Sequence, residues 1–137
     1  MELKNKKVLF LGDSITAGAG VSSPEKCYVS VFGKISGATV TNYGIGGTRI
    51  AKQSCKSENE IWDQDFLSRV SGMDNDADIV AVFGGTNDFG HGDAKIGNMK
   101  SRDEYTFYGR KQPYFYKYST VKGKKQELLR CVLRVKL

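Results

Sequence analysis

Ser14 is the residue of this chain best placed to act as a nucleophile. It follows an unbroken apolar run, Val8-Leu9-Phe10-Leu11, that Gly12-Asp13 stops. A short apolar run closed by a turn signal is the pattern of a strand buried on both faces. Ile15-Thr16-Ala17 then suits the start of a helix. Ser14 is therefore predicted just past the C-terminal end of a strand, on the edge of an open α/β sheet where reacting groups collect. Backbone N–H groups at a helix start can also hold an anion. Two more polar loops follow strand-like segments, Asn42-Tyr43-Gly44-Ile45-Gly46-Gly47 and Gly85-Thr86-Asn87-Asp88. In a parallel sheet all three loops lie on one edge. That brings a serine hydroxyl, a glycine backbone N–H and an asparagine amide to one point. Chemically this is a nucleophile with two oxyanion donors, as a tetrahedral acyl-transfer intermediate requires; one such donor is worth about 3–4 kcal/mol of barrier. The G-x-S-x-G elbow is excluded, because Thr16 stands where its second glycine belongs.

The elements that must position these residues can be read in order. After Ser14, Gly18-Ala19-Gly20 is a glycine-rich loop. No Gly-Lys-Ser/Thr closes it, so it is no phosphate-binding loop, and Ser23 stands where a dinucleotide fingerprint needs its third glycine. Ser23-Pro24-Glu25 predicts a helix start, with Ser at the cap and Pro at the first helical position. Val29, Phe32, Gly33 and Ile35 supply its sheet-facing side and Gly37 its end. Ala38–Asn42 is the second strand, short and β-branched. Residues 50–59 are polar and irregular. Ile61, Trp62, Phe66, Leu67 and Val70 have the spacing of one amphipathic helix, ended by Gly72. Asp78–Phe83 is the third strand. Strands alternating with helices predict a parallel, doubly wound sheet.

Size, charge and cysteines narrow the class. The 137 residues are one domain's worth of chain. The formal charge of +6 is unevenly held. Residues 110–137 carry nine Lys/Arg against the single acid Glu127, which leaves the rest slightly acidic. Fifteen of the 16 glycines also precede residue 110, so two composition signals mark a seam near Gly109. Residues 1–109 are read as the α/β domain. Residues 110–137 are read as a basic aromatic tail, non-native or disordered, with a short helix suggested by Leu128, Leu129, Val132 and Leu133. Three widely spaced cysteines without a C-x-x-C indicate neither a disulfide framework nor a zinc site. No signal peptide or membrane span is seen, and a cytoplasmic protein is expected.

Three blocks resemble those of the GDSL, or SGNH, hydrolases. Gly12-Asp13-Ser14-Ile15 resembles the first block, Asn42-Tyr43-Gly44-Ile45-Gly46-Gly47 the second and Gly85-Thr86-Asn87-Asp88 the third. The resemblance covers roughly residues 5–109. It implies a flavodoxin-like three-layer α/β/α fold with a parallel sheet. It also implies hydrolysis of carboxylic or thio-esters through an acyl-enzyme, without a cofactor. Ser14 would be the nucleophile, with the Ser14 N–H, the Gly47 N–H and the Asn87 side chain as the oxyanion hole. The family's last block, D-x-x-H near the C-terminus, is not found. The only histidine is His91, within Asp88-Phe89-Gly90-His91, and it is the one available candidate for the base. A serine without an adjacent base is a poor nucleophile. The expectation is therefore a fold truncated at its C-terminal end, with weak or no activity.

Each signal also has a plainer reading. Ser14 could be a helix cap, the glycine loop a turn, and Asn87 an Asx-turn residue. Asp13 and Asp88 are read as supports of loop geometry rather than as reacting groups. His91 with Asp88 and Asp93 is read as a flexible loop, with no metal. Arg49, next to the glycine loop, could touch a substrate acid, but a surface arginine is the default reading. Two rival functions stay open: a catalytically dead module that binds an ester or carbohydrate, and nucleic-acid binding through Tyr114, Phe115, Tyr116 and Tyr118 with their neighbouring lysines. The expected partner is a small-molecule ester (an acetylated sugar, a lipid or a thioester), nucleic acid is not expected, and the oligomeric state is open.

Overall fold

A computed structural model describes residues 2–94 and the backbone of Cys131–Leu133. The apolar run forms β1 (Lys7–Gly12), buried from Val8 onward. Its alternating side chains feed two separate cores. Leu9 and Leu11 meet Phe66, Met73 and Val82 on one face, and Val8 and Phe10 meet Cys27 and Val29 on the other. A strand with apolar residues on both faces must be covered on both, and β1 is.

The first cover is α2 (Tyr28–Ser36), which packs over β1 and β2 (Thr39–Gly44). Phe10 stands edge-to-face with Tyr28 and Phe32, at 5.7 and 5.2 Å between ring centres. Gly33 lets the helix come close to β2, because a Cβ there would lie 3.0 Å from Val40 Cγ2. The second cover is α3 (Phe66–Val70). β3 (Ile79–Phe83) and α4 (Thr86–His91) complete the described N-terminal part.

The strand order is β2-β1-β3-β4, and β4 is Cys131–Leu133. β1 runs parallel to both β2 and β3, pairing Leu11 with Tyr43 and with Val82. β4 runs antiparallel to β3, with Val80 opposite Leu133. The architecture is thus a three-layer α/β/α sandwich on a parallel three-strand sheet with one antiparallel addition. The parallel sheet and both helical layers match the sequence reading, except that Ile35, read as sheet-facing, is exposed.

Three local expectations are corrected. The helix expected from Pro24 onward is a 3-10 turn, Pro24–Lys26, then a break at Cys27, where ψ is 139°. Cys27 breaks the helix as its buried thiol turns inward to donate to the Thr16 carbonyl at 3.3 Å. The single helix expected over residues 61–70 is also two pieces, a 3-10 turn at Glu60–Asp63 and α3. Asn59 and Asp65 each cap one piece, accepting from Ile61 N at 3.0 Å and Ser68 N at 3.1 Å. Asx side chains offer the backbone local bonds that compete with a continuous helix. Finally, Val132 and Leu133, part of the helical pattern read near residue 130, belong to strand β4, since pairing with the edge of β3 outweighs a marginal helical spacing. The Gly109 seam, the aromatic residues 114–118 and the rest of the tail lie outside the described residues.

Candidate active site

Ser14 is the first residue of α1 (Ser14–Ala17), directly beyond β1. Asp13 caps this turn, its Oδ1 accepting from Ile15 N at 3.0 Å. The turn is fixed by close packing. A Cβ on Gly12 would run into the Thr16 side chain and lie 2.7 Å from the Phe83 carbonyl. One on Gly44 would run into the backbone of Thr16 and Ala17. The C-terminal ends of β2 and β3 therefore press the Ser14 turn from both sides, and only glycine fits at these contacts.

The second loop arches over the first. Ile45 N donates to the Gly12 carbonyl at 3.1 Å, and the Cβ position of Gly46 lies 3.8 Å from Ser14 Cβ. Gly47 has φ +76° and lies against the Trp62 indole, so any side chain there would be both strained and overlapped. The third loop is joined to the second by two neighbouring side chains. Asn87 Nδ2 donates to the Thr48 carbonyl at 2.8 Å. The two oxygens of Asp88 accept from Ile50 N and Ala51 N, each at 2.9 Å. Ser14, Gly47 and Asn87 thus belong to three loops joined to one another by contacts on one sheet edge. An amide nitrogen has two hydrogens, so Asn87 keeps one beyond its bond to Thr48. The arrangement can present a hydroxyl and N–H donors to one carbonyl.

Arg69, which the sequence reading passed over, ties the first two of these loops to each other. Its Nη1 donates to the Tyr43 carbonyl at 2.9 Å, and its Nη2 to the Gly12 carbonyl at 3.0 Å and to Thr48 Oγ1 at 3.2 Å. Its guanidinium stacks on Phe66, 4.8 Å from the ring centre. Arg69 is three residues after Phe66 and one before Val70, which puts it beside the buried face of the helix, but that spacing does not name the acceptors it meets. Burial lowers its pKa, with Asp65 and Asp13 opposing the shift. Asp13 is 1% exposed, and burial pushes its carboxyl above the ordinary value despite the Ile15 N–H. Among the described residues Asp13 Oδ2 and Arg69 Nε have no hydrogen-bond partner.

Arg49 is not the surface arginine expected. It is 6% exposed, with Nε and Nη2 donating to His91 Nδ1 at 3.3 and 2.7 Å and Nη1 donating to Ser57 Oγ at 2.8 Å. Two Arg donors make Nδ1 of His91 an acceptor, which leaves the proton of the neutral ring on Nε2. No hydrogen bond joins His91 to Ser14 among the described residues. The irregular segment between these groups is held by acids. Asp93 accepts from Ser54 N and Cys55 N at 2.8 Å each, and both oxygens of Asp63 accept from Ser57 N at 3.1 Å. The Ser57 hydroxyl and then its amide hold the Asp63 carboxyl below its ordinary value, and the Ser54 and Cys55 amides do the same for Asp93. No group of three or more metal-ligating side chains occurs among the described residues. Nor is any of their helices long and apolar enough to cross a membrane.

Comparison with known proteins gives the site a family. No curated protein matches the chain. A solved protein of Lactobacillus plantarum is 31% identical, with a TM-score of 0.53 over 71% of this chain and 41% of its own length. A structure from Bacteroides uniformis ATCC 8492, described as a GDSL-like lipase, is 24% identical, with a TM-score of 0.58 over 77% of this chain and 58% of its own. The chain spans roughly half the length of these solved structures. The family model of the GDSL-like Lipase/Acylhydrolase family matches residues 10–105, a stretch that holds Ser14, Gly47 and Asn87, and the chain belongs to that family.

Proposed function

We propose that this chain carries the ester-cleaving centre of a serine hydrolase, with Ser14 as nucleophile. The observation that carries the reading is the junction of three strand-end loops around one serine. In this reading, Ser14 Oγ attacks the ester carbonyl and gives its proton to solvent water, and the alcohol leaves after taking a proton from water. The Ser14 N–H, the Gly47 N–H and the second Asn87 N–H receive the developing negative oxygen. Water then releases the acid. Asp13 and Asp88 have no reacting role, since Asp13 Oδ1 and both Asp88 oxygens serve the backbone N–H groups that shape the loops. Residues 1–109 would form the α/β unit, to whose sheet β4 (Cys131–Leu133) adds an edge. An acetylated sugar, a lipid or a thioester would each supply the required carbonyl.

His91 is not the base in this proposal. Its Nδ1 is occupied by Arg49, and Nε2 already carries a proton, so neither nitrogen is ready to accept one from Ser14. Hydrolysis by the 137-residue chain is accordingly slow. The test is p-nitrophenyl acetate turnover by the chain beside its Ser14→Ala variant. Any rate above background is expected to vanish in the variant, and equal rates would overturn the nucleophile assignment. His91→Ala is expected to leave the Ser14-dependent rate within twofold; a loss of tenfold or more would make His91 the base.

A second reading, a module that binds an ester without turning it over, is favoured by the engagement of His91 with Arg49. It is separated by the same assay: saturable binding of an ester without Ser14-dependent release of product would support it.

A further inference from the structure

Beside Gly47 lies a cavity of about 390 Å³, in the lower range of small-molecule sites. Trp62 forms part of its wall and also touches Gly47. The cavity and a proposed oxyanion donor thus share one contact residue. Arg49 is the charge buried in its wall. Of its five N–H groups, three are used on His91 and Ser57, both neutral. The other two have no partner among the described residues, and Arg49 makes no ion pair among them. Asp93 lines the cavity, and it and Asp63 keep their negative charge within range of Arg49, but both spend their oxygens on the amides of Ser57, Ser54 and Cys55 and neither forms a direct pair with the guanidinium. Lys56 and Glu58 also line the cavity, as exposed groups of opposite sign, so they add little net field.

A buried guanidinium with two donors left over is suited to a planar anion that accepts two parallel bonds. Resting on the ester-hydrolase reading, we infer that this cavity selects esters that carry a free carboxylate, with Arg49 as the residue that binds it. Trp62 supplies the apolar wall along the chain between the carboxylate and the reacting carbonyl. His91 and Ser57 hold the guanidinium in place.

Trp62 is the only tryptophan, so its fluorescence reports on the cavity whether or not the chain turns over. The experiment titrates the chain with monoethyl succinate and with ethyl succinamate, its neutral counterpart of the same shape. Saturable change with the acid is expected, at least tenfold weaker for the amide and for Arg49→Gln. Arg49→Lys, which keeps the charge but loses the fork, is expected to bind between the two. Ser14→Ala is expected to bind as the parent does. Equal binding of the amide, an unchanged Arg49→Gln, or no saturable change would overturn the inference. Should Arg49→Gln fail to fold by circular dichroism, the comparison of acid and amide on the unaltered chain decides. Loss of the hydrolase reading would show separately, as p-nitrophenyl acetate turnover indifferent to Ser14.

Discussion

The Ser14 turn and the segment from Gln53 to Asp63 adjoin the same glycine loop but are held by opposite means. The turn is held by contact: strand ends press on it where glycine alone fits, with Asp13 and Thr16 fully enclosed. The segment, largely exposed, is held by acids that accept backbone N–H groups, Asp93 at Ser54 and Cys55 and Asp63 at Ser57. Packing tolerates almost no change of shape, whereas carboxylate bonds are sensitive to protonation. Rigid chemistry beside an adjustable wall is a workable division for an enzyme that must fix its reacting atoms and vary its substrate.

The sharpest way to break this contrast is Gly44→Ala. The added methyl meets the backbone of α1, which cannot swing aside as a side chain can, and a loss of about 3 kcal/mol is expected in urea unfolding. A loss below 1 kcal/mol would mean that the turn yields, and the claim of rigidity would fall. Arg69→Met comes next. It removes three hydrogen bonds from acceptors beneath the site while keeping bulk against Phe66. About 2 kcal/mol of stability is expected to go, with a tenfold or greater fall in any Ser14-dependent rate; an unchanged rate would separate Arg69 from the loops it ties.

The smallest effect is the most specific. Asp63 and Asp93 have carboxyls held low in the folded state, so their contribution is complete above the unfolded value near 3.8 and is lost as pH falls through the folded values. Asp13 has the opposite sign: its folded value is raised, so protonation favours the folded turn as pH falls through it. Amide exchange, corrected for its intrinsic pH dependence, is therefore expected to quicken at Ser54, Cys55 and Ser57 below about pH 4 while Ile15 stays protected. Parallel loss at all four would erase the distinction. At neutral pH, Asp93→Asn is expected to raise exchange a few-fold at Ser54 and Cys55 alone.

What the sequence disclosed follows this same divide. β1, the sheet direction and the three strand-end loops were legible because each depends on a short run of residues and its stop signal. The burial of Arg49 and Arg69 was not. A cation is buried by acceptors brought from elsewhere, here Gly12, Tyr43 and Thr48 for one and His91 and Ser57 for the other, and no local pattern encodes that meeting. The acid clamps were hidden for a similar reason: Asp93 and Asp63 look like ordinary surface carboxylates until the amides they hold are found. The apolar spacing over residues 61–70 predicts one helix because it takes no account of the cap inside it, Asp65, which starts a second piece. β4 could not be read from Val132 and Leu133 alone, since its partner is the distant edge of β3.

The strand order also governs how the molecule comes together. Val8 pairs with Val40 on one side and with Ile79 on the other. The first pairing closes a much shorter loop than the second and costs less chain entropy. The Ser14 turn needs both, Gly44 from the near partner and the Phe83 carbonyl from the far one. A nascent chain can thus build β1, α2 and β2 as a unit, but it completes the serine turn only once β3 has docked. The reactive corner is finished at the slower, longer-range step of folding, and a kinetic probe placed at Trp62 is expected to report later than one placed at Phe10.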